Sequence, residues 1–188
     1  MHWILVWSWR LCRLALLPIA AGVIAVTGSL LYLGPRLPSV EVLRDVRFQE
    51  PLRVYSRDGL LMGEFGEMRC TPVRFEQIPQ VLIHAVLAAE DDRFLRHHGV
   101  DFGGLTRAAW ELATTRSIQS GGSTITMQVA RNYFLSRDQT FVRKFNEILL
   151  ALQIERELDK QQILELYLNK IFLGYRAYGV EAAAQVYY

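Results

Sequence analysis

The sequence predicts a mainly α-helical domain with one small β-hairpin, preceded by a single transmembrane helix. Three observations predict this class. They are a long uncharged apolar run near the N-terminus, two strand-like segments around an Asp-Gly turn, and helical spacing of apolar residues through the rest of the chain. The length of 188 residues suits one domain, and the 51% hydrophobic content excludes a disordered chain.

The apolar run covers residues 14–33 and holds 20 residues without a charge. A helix of that length crosses the ~30 Å hydrocarbon layer of a bilayer. A cleaved signal peptide is the rival interpretation, but its apolar region is usually ~7–15 residues long and no cleavage site closes this run. We therefore expect a short tail at 1–13, an uncleaved anchor at 14–33 and a proline-broken connector at 34–50.

The positive charge of the chain is concentrated before residue 34. Residues 1–33 carry a net charge of +2, whereas the remaining 155 residues carry 19 basic and 19 acidic side chains. A neutral body argues against a nucleic-acid partner, because such binding needs a basic excess to displace counterions. Cys12 and Cys70 are too few to form a disulfide framework or a metal site.

The β-hairpin is predicted at residues 52–65, where LRVYS and LLMGEF flank the tight-turn dipeptide Asp58-Gly59. A further short extended piece is expected at Thr71–Phe75. Helical spacing then begins at Pro79, a first-turn proline, and runs to Glu90. The predicted buried face of this helix comprises Val81, Leu82, Ala85, Val86 and Ala89.

Four more helices follow in the prediction, before a loop bracketed by two glycines and a last apolar segment. Ser123 and Asp159 are the expected N-caps of two of them, and Gln162 completes a capping box with Asp159. The predicted helices are Gly104–Thr114, Ser123–Leu135, Phe141–Leu158 and a helix from Asp159 to Asn169.

A cluster of carboxylates at the end of the first helix is a candidate catalytic group. Glu90 follows two alanines, and partial burial there would raise its pKa toward the range of a general base. The plainer interpretation is a solvated helix end. His97 and His98 lack the helical spacing of metal ligands, so a structural role is favoured for His97.

Residues 120–124 (SGGST) lead into a helix and predict an anion-binding site. Free backbone N–H groups, hydroxyls and the positive end of the helix dipole all favour an anion there. Gln128 and Arg131 follow one and two turns later on nearby faces. A plain Ser-capped helix is the alternative, and the spacing excludes a nucleotide P-loop.

Arg143 and Lys144 precede Glu147 by four and three residues, so the three crowd one helical face. The set is either an ordinary surface ion-pair group or a site for a pyrophosphate or a bridging metal ion.

The order and spacing of these segments resemble the family 51 glycosyltransferases. These form the peptidoglycan polymerase domain of class A penicillin-binding proteins and the monofunctional transglycosylases. The hairpin resembles that of the bifunctional 1A type. Five motifs carry the resemblance: Glu90, Asp91, Phe94, His97, Gly99 and Asp101; Gly121, Gly122, Ser123, Thr124, Gln128, Arg131 and Asn132; Arg143, Lys144 and Glu147; Ile163–Asn169 with Tyr167; and Gly174 through Gly179 to Ala183.

Two positions depart from the family pattern. Met127 stands where many members have Gln, and Arg131 stands where many have Lys, which keeps the charge but not the geometry. The family domain also continues beyond Tyr188. We therefore expect a C-terminally incomplete domain at 51–188 that is inactive or weakly active alone.

The resemblance implies a lysozyme-like, two-lobed helical glycosyltransferase domain that polymerises lipid II into β-1,4 glycan strands. It makes Glu90 and Glu147 the catalytic residues, Glu90 as general base. Glu147 would stabilise the leaving undecaprenyl pyrophosphate, directly or through a divalent cation (Mg²⁺ or Mn²⁺), and no organic cofactor is expected. Substrate-binding roles fall on Ser123, Thr124, Gln128, Arg131, Asn132, Arg143 and Lys144, and supporting roles on Asp91, Phe94, His97, Gly99, Gly122, Tyr167 and Asn169.

The implied setting is the bacterial cytoplasmic (inner) membrane, crossed once, with residues 1–13 cytoplasmic and the catalytic domain on the periplasmic side. The implied partners are lipid II, the growing glycan strand, the membrane and other cell-wall synthesis proteins.

Two rival functions stay open: a lysozyme-like hydrolase and a non-catalytic membrane scaffold. Four residues either dip toward the bilayer or pack in the core: Phe102, Leu105, Trp110 and Leu112.

Overall fold

The computed structural model describes residues 27–28, 34, 37–46, 52–66, 69–116, 121–135 and 140–188. The predicted tail and nearly all of the predicted anchor lie outside these ranges. Within them, no helix combines the length and apolar character needed to cross a bilayer. Residues Ser39–Tyr188 form one compact unit, and the site belongs to it.

Helices dominate the described part of this unit, which confirms the mainly α prediction. The lysozyme-like, two-lobed description stays a prediction. The helices are α1 (Gln80–Glu90), α2 (Phe102–Thr115), α3 (Ile125–Phe134), α4 (Phe141–Glu157), α5 (Lys160–Lys170) and α6 (Val180–Tyr187).

The predicted β-hairpin is confirmed. Strand β1 (Leu52–Tyr55) pairs antiparallel with β2 (Leu61–Phe65). Gly59 in the turn has a φ of +79°, a conformation that glycine adopts without a steric penalty.

The second extended segment differs from its prediction. The strand is β3 (Arg69–Cys70), whereas Phe75 begins a short 3₁₀ turn. Strand β3 pairs in parallel with β4 (Ala177–Tyr178), which lies in the loop predicted between two glycines. Local sequence could not show this pairing, because the partner strand is distant in the chain.

The core lies between α3, α4 and α5. Burying one large aliphatic side chain contributes about 1.5–3 kcal/mol relative to leaving it exposed, so this packing holds α3 firmly in place. The hydrophobic side chains at 0% exposure here are Ile125, Met127, Val129, Ala130, Leu150, Ala151, Ile154, Ile163, Tyr167 and Leu168.

Helix α1 buries a different face from the predicted one. Ile83 is 4% exposed, whereas Val81 on the predicted buried face is 80% exposed. Every residue from Val81 to Ala89 except His84 is apolar. Because the apolar pattern is nearly continuous, its period cannot select a face, and the packing partner decides.

The caps of the helices are partly as predicted. Asp159 and Gln162 form the expected capping box at α5. The cap of α3 is Thr124 rather than Ser123, since the Thr124 Oγ1 accepts from the Met127 N–H at 3.1 Å. Thr140 caps α4 in the same manner, accepting from the Arg143 N–H.

Part of the predicted connector packs against the domain. A 3₁₀ turn at Val40–Asp45 buries Val40 and Leu43, which are 7% and 4% exposed, and contacts α4. The Arg44 guanidinium lies 2.8 Å from the Glu157 carboxylate at the end of α4. Exposed ion pairs of this kind contribute little, so the two apolar side chains hold the turn.

Candidate active site

A cleft of about 480 Å³ opens between the end of α1, the start of α2 and the segment that leads into α3. Both carboxylates and cations line it, so it can bind a polar, charged ligand. The candidate site residues on its walls are Glu90, Asp91, Gly122, Ser123, Thr124, Gln128 and Arg131.

Glu90 is the last residue of α1, and its side chain is exposed on the cleft wall. The partial burial expected from the sequence is therefore not found, because the end of α1 borders open space. The Gln128 Nε2 donates to Glu90 Oε2 at 2.9 Å, which orients the carboxylate from α3. An exposed, oriented carboxylate can accept a proton from a bound hydroxyl.

Asp91, next to Glu90, is buried and joins two elements. Its carboxylate accepts from the Ile125 N–H at 3.0 Å and contacts His97 Nε2 at 2.9 Å. It therefore ties the 91–100 segment to the start of α3, and His97 supports this link. Within the described ranges, no three His, Cys, Asp or Glu residues group as metal ligands.

Gly99 lies where the 91–100 segment crosses α4. Its φ is +84°, and an added Cβ would stand 2.6 Å from the Ala151 carbonyl oxygen. The Thr124 Oγ1 donates to the Gly99 carbonyl at 2.6 Å while it caps α3. Glycine is therefore required for both its backbone angle and its close approach.

We expect Gly99→Ala to lower the free energy of unfolding by about 3 kcal/mol. A positive φ costs an L-residue about 1–2 kcal/mol, and the clash with α4 adds about 1–3 kcal/mol. Gly59→Ala is the matched control, since its φ is +79° and its Cβ would meet no atom within 4 Å. Urea denaturation of both variants measures the difference, and equal losses would contradict the steric argument.

Glu147 lies on α4 and is only 1% exposed, so the alternative of a surface ion-pair group is wrong. Lys144 Nζ stands 3.2 Å from Glu147 Oε2 and donates to the Ser123 Oγ at 2.6 Å. The Arg143 Nε lies 3.6 Å from Glu147 Oε1. Glu147 thus lies within ion-pair distance of two cations, and one of them, Lys144, contacts Ser123 on the cleft wall.

The residues around Glu147 fit a divalent cation poorly. Glu147 Oε1 is buried without a hydrogen-bond partner within the described ranges, but Arg143 and Lys144 already neutralise its charge. A hard cation needs several oxygen ligands, and one carboxylate beside two cations does not supply them.

Tyr167 and Asn169 lie on α5 and are almost fully buried. Asn169 Oδ1 accepts from the Val73 N–H and its Nδ2 donates to the Val73 carbonyl, both at 2.8 Å. Burial raises the pKa of Tyr167 above its ordinary value of 10.0, the charge of Glu90 raises it further, and Arg131 opposes this. The charges of Glu90 and Arg131 therefore both act on the pKa of the Tyr167 hydroxyl.

The surroundings of Phe94, Gly122 and Asn132 differ. Phe94 is 1% exposed beneath the 91–100 segment. Gly122 brings the segment before α3 close to α2, since an added Cβ would stand 3.3 Å from the Ala108 Cβ. Asn132 is partly buried on α3 and is not among the cleft-lining residues.

One of the four apolar residues of α2 fits the core interpretation, and that the other three dip toward the bilayer stays a prediction. Phe102, Trp110 and Leu112 are 67%, 72% and 48% exposed, so they do not form a core within this part of the chain. Leu105 packs against the buried cluster of Val100, Met127 and Ala151 and is a core residue.

Sequence reasoning missed two features. Arg107 of α2 lines the cleft, but a single arginine without a local partner carried no signal. A partly buried ion pair between Glu155 and Lys160 contacts the 91–100 segment at the His97 carbonyl. The two residues flank a helix break, so helical spacing could not pair them.

Comparison with known proteins identifies the family. Residues 58–188, well over half of the chain, match the family model described as Transglycosylase. The chain is 65% identical over 165 residues to penicillin-binding protein 1A of Pseudomonas aeruginosa, covering 88% of this chain and 20% of that protein. It is 51% identical over 175 residues to penicillin-binding protein 1A of Escherichia coli, covering 93% and 21%.

Penicillin-binding protein 1A of Vibrio cholerae is 50% identical over 179 residues, covering 95% of this chain and 22% of that protein. The chain thus spans about a fifth of the length of these curated relatives. The resemblance to the peptidoglycan glycosyltransferases is confirmed at the level of the family: the chain belongs to the transglycosylase family of enzymes.

Proposed function

We propose that the protein polymerises lipid II into β-1,4 glycan strands, with inversion at the anomeric carbon and release of undecaprenyl pyrophosphate. The observation that carries this proposal is the cleft itself. An oriented carboxylate, Glu90, shares its walls with Arg131 and with Ser123, which Lys144 contacts. A base and a set of cations in one cleft suit a hydroxyl nucleophile and a diphosphate leaving group.

Glu90 serves as the general base in this mechanism. It takes the proton of the acceptor's sugar 4-hydroxyl, and that oxygen forms a bond to the anomeric carbon of the lipid-linked donor. Gln128 holds the carboxylate at 2.9 Å, so its position is set before the substrate binds. General-base catalysis of this kind contributes about 10²–10⁴-fold in rate.

The bond between the anomeric carbon and the diphosphate breaks as the new bond forms, and its electron pair leaves on the diphosphate oxygen. Negative charge therefore grows on the leaving group. Arg131 lines the cleft, so its charge is available to the diphosphate, and Lys144 adds positive charge behind Ser123 on the cleft wall. Preorganised cations and helix N–H groups stabilise such charge more than mobile water does.

The lipid-linked substrate places the enzyme at the cytoplasmic membrane, with its catalytic domain on the periplasmic side. Two features support this part of the proposal. The sequence predicts an anchor at 14–33, and Phe102, Trp110 and Leu112 of α2 present exposed apolar side chains. Exposed apolar groups of this size favour contact with lipid or with a lipid tail.

Incubation with labelled lipid II tests the proposal. The protein, expressed from its complete reading frame and purified in detergent, is expected to convert lipid II into long glycan strands and undecaprenyl pyrophosphate. Short muropeptides released from finished cell wall would instead identify a lysozyme-like hydrolase. A properly folded protein that produces neither product would support the scaffold interpretation.

A further inference from the structure

A partly buried ion pair lies outside the lining of the cleft. Lys160 Nζ, in the first turn of α5, stands 2.7 Å from Glu155 Oε1 on α4. Their side chains are only 24% and 6% exposed. The Thr126 Oγ1 of α3 donates to the same Glu155 oxygen at 2.7 Å. The pair therefore joins three helices at one point.

The same ammonium group also holds the 91–100 segment. Lys160 Nζ donates to the His97 carbonyl at 2.7 Å and stands 4.3 Å above the centre of the Phe94 ring. A lysine ammonium has three N–H donors, and these contacts direct them to a carboxylate, a carbonyl and an aromatic face. An apolar side chain of similar length could replace neither the contact with the carboxylate nor the contact with the carbonyl.

The 91–100 segment links this ion pair to the catalytic base. It begins directly after Glu90, and its Asp91 is bound to the start of α3 and to His97. Lys160 contacts the segment at the His97 carbonyl, and Gly99 of the segment lies against Ala151 and Glu155 of α4. The position of Glu90 relative to Gln128 on α3 thus depends on the contacts of Asp91 and on those that Lys160 and Glu155 make with the segment.

We propose that Lys160 and Glu155 are positioning residues for glycan transfer, which fix the 91–100 segment on α4 and α5 and thereby align Glu90 with the cleft. Neither residue lines the cleft, so they act through the segment rather than on the substrate. This inference rests on the proposed function, because the alignment matters only if Glu90 is the base. A misplacement of about 1 Å can cost about 10²-fold in rate.

The test compares Lys160→Met with Lys160→Arg and Glu155→Gln in the protein expressed from its complete reading frame. Lys160→Met keeps the aliphatic stem and is expected to lower kcat for lipid II polymerisation by about 10–100-fold, with KM within about threefold of the parent protein. Lys160→Arg keeps the charge and is expected to restore most of kcat. Lys170→Met is the control, since Lys170 lies on the same helix over the Tyr133 ring.

Hydrogen exchange gives a second readout that needs no activity. The backbone amides of residues 91–100 are expected to exchange faster in Lys160→Met, while those of α3 stay protected. If Lys160→Met does not fold, Glu155→Gln takes its place, with an expected kcat loss of about tenfold.

Unchanged kcat and unchanged exchange would overturn the inference. So would a kcat loss that disappears when rates are referred to the folded fraction of the protein. An inactive parent protein would instead count against the proposed function, and the exchange experiment would still judge the positioning role.

Discussion

Glu90→Gln is expected to lower kcat for glycan polymerisation by about 10²–10⁴-fold, the usual contribution of a general base. The amide keeps the size of the side chain and can still accept from Gln128, whose Nε2 lies 2.9 Å from Glu90 Oε2. It cannot take up the proton of the acceptor hydroxyl. Because Glu90 is exposed at the end of α1, the protein should fold and bind substrate as before.

Steady-state rates with lipid II, together with a thermal unfolding curve, measure this effect. Asp92→Asn is the matched control, because Asp92 lies two residues after Glu90, also lines the cleft, and has a side chain that is 76% exposed. Its rate is expected to stay within about threefold of the parent protein, because an exposed ion pair such as the one that Asp92 forms with Arg93 at 3.9 Å contributes little. Equal losses in the two variants would show that the charge of the cleft, rather than the base, matters.

Arg131→Met is expected to lower kcat by about 10²–10³-fold, the range seen when one preorganised transition-state donor is removed. Arg131 lines the cleft and makes no ion pair to an acidic residue within the described ranges. Its charge is therefore available to the leaving diphosphate. Methionine keeps much of the apolar stem, so a loss of rate reports the missing charge.

Arg131→Lys separates charge from geometry. Lysine keeps the positive charge at a position where many members of the resembled family carry it, so we expect kcat within about tenfold of the parent protein. Arg156→Met serves as the control, because Arg156 is exposed in the last turn of α4 and lies outside the cleft lining. A kcat unaffected by Arg131→Met would remove Arg131 from the leaving-group site.

The helices and the hairpin could be predicted from sequence where strong local signals mark them. Asp58-Gly59 located the hairpin turn, and Asp159 with Gln162 located the start of α5. Prediction failed where local patterns were ambiguous. Residues 81–89 are apolar on nearly every side, and the partner of β3 lies far along the chain at β4.

The candidate site was predicted as a set of residues rather than as an arrangement. Motif resemblance selected Glu90, Gln128 and Arg131, which the structure brings to one cleft. The environment of each group was not predictable. Glu90 is exposed rather than partly buried, and Glu147 is 1% exposed although its motif alone also fits an ordinary surface helix.

By itself, the sequence determined the mainly helical class, the family and the chemical types of the candidate site. Those depend on local patterns and on motif spacing along the chain. Only the tertiary structure decided that Lys144 reaches the cleft through Ser123 and that Lys160 secures the segment after Glu90. These contacts join residues on different elements, and burial and distance between such residues arise only when the chain packs.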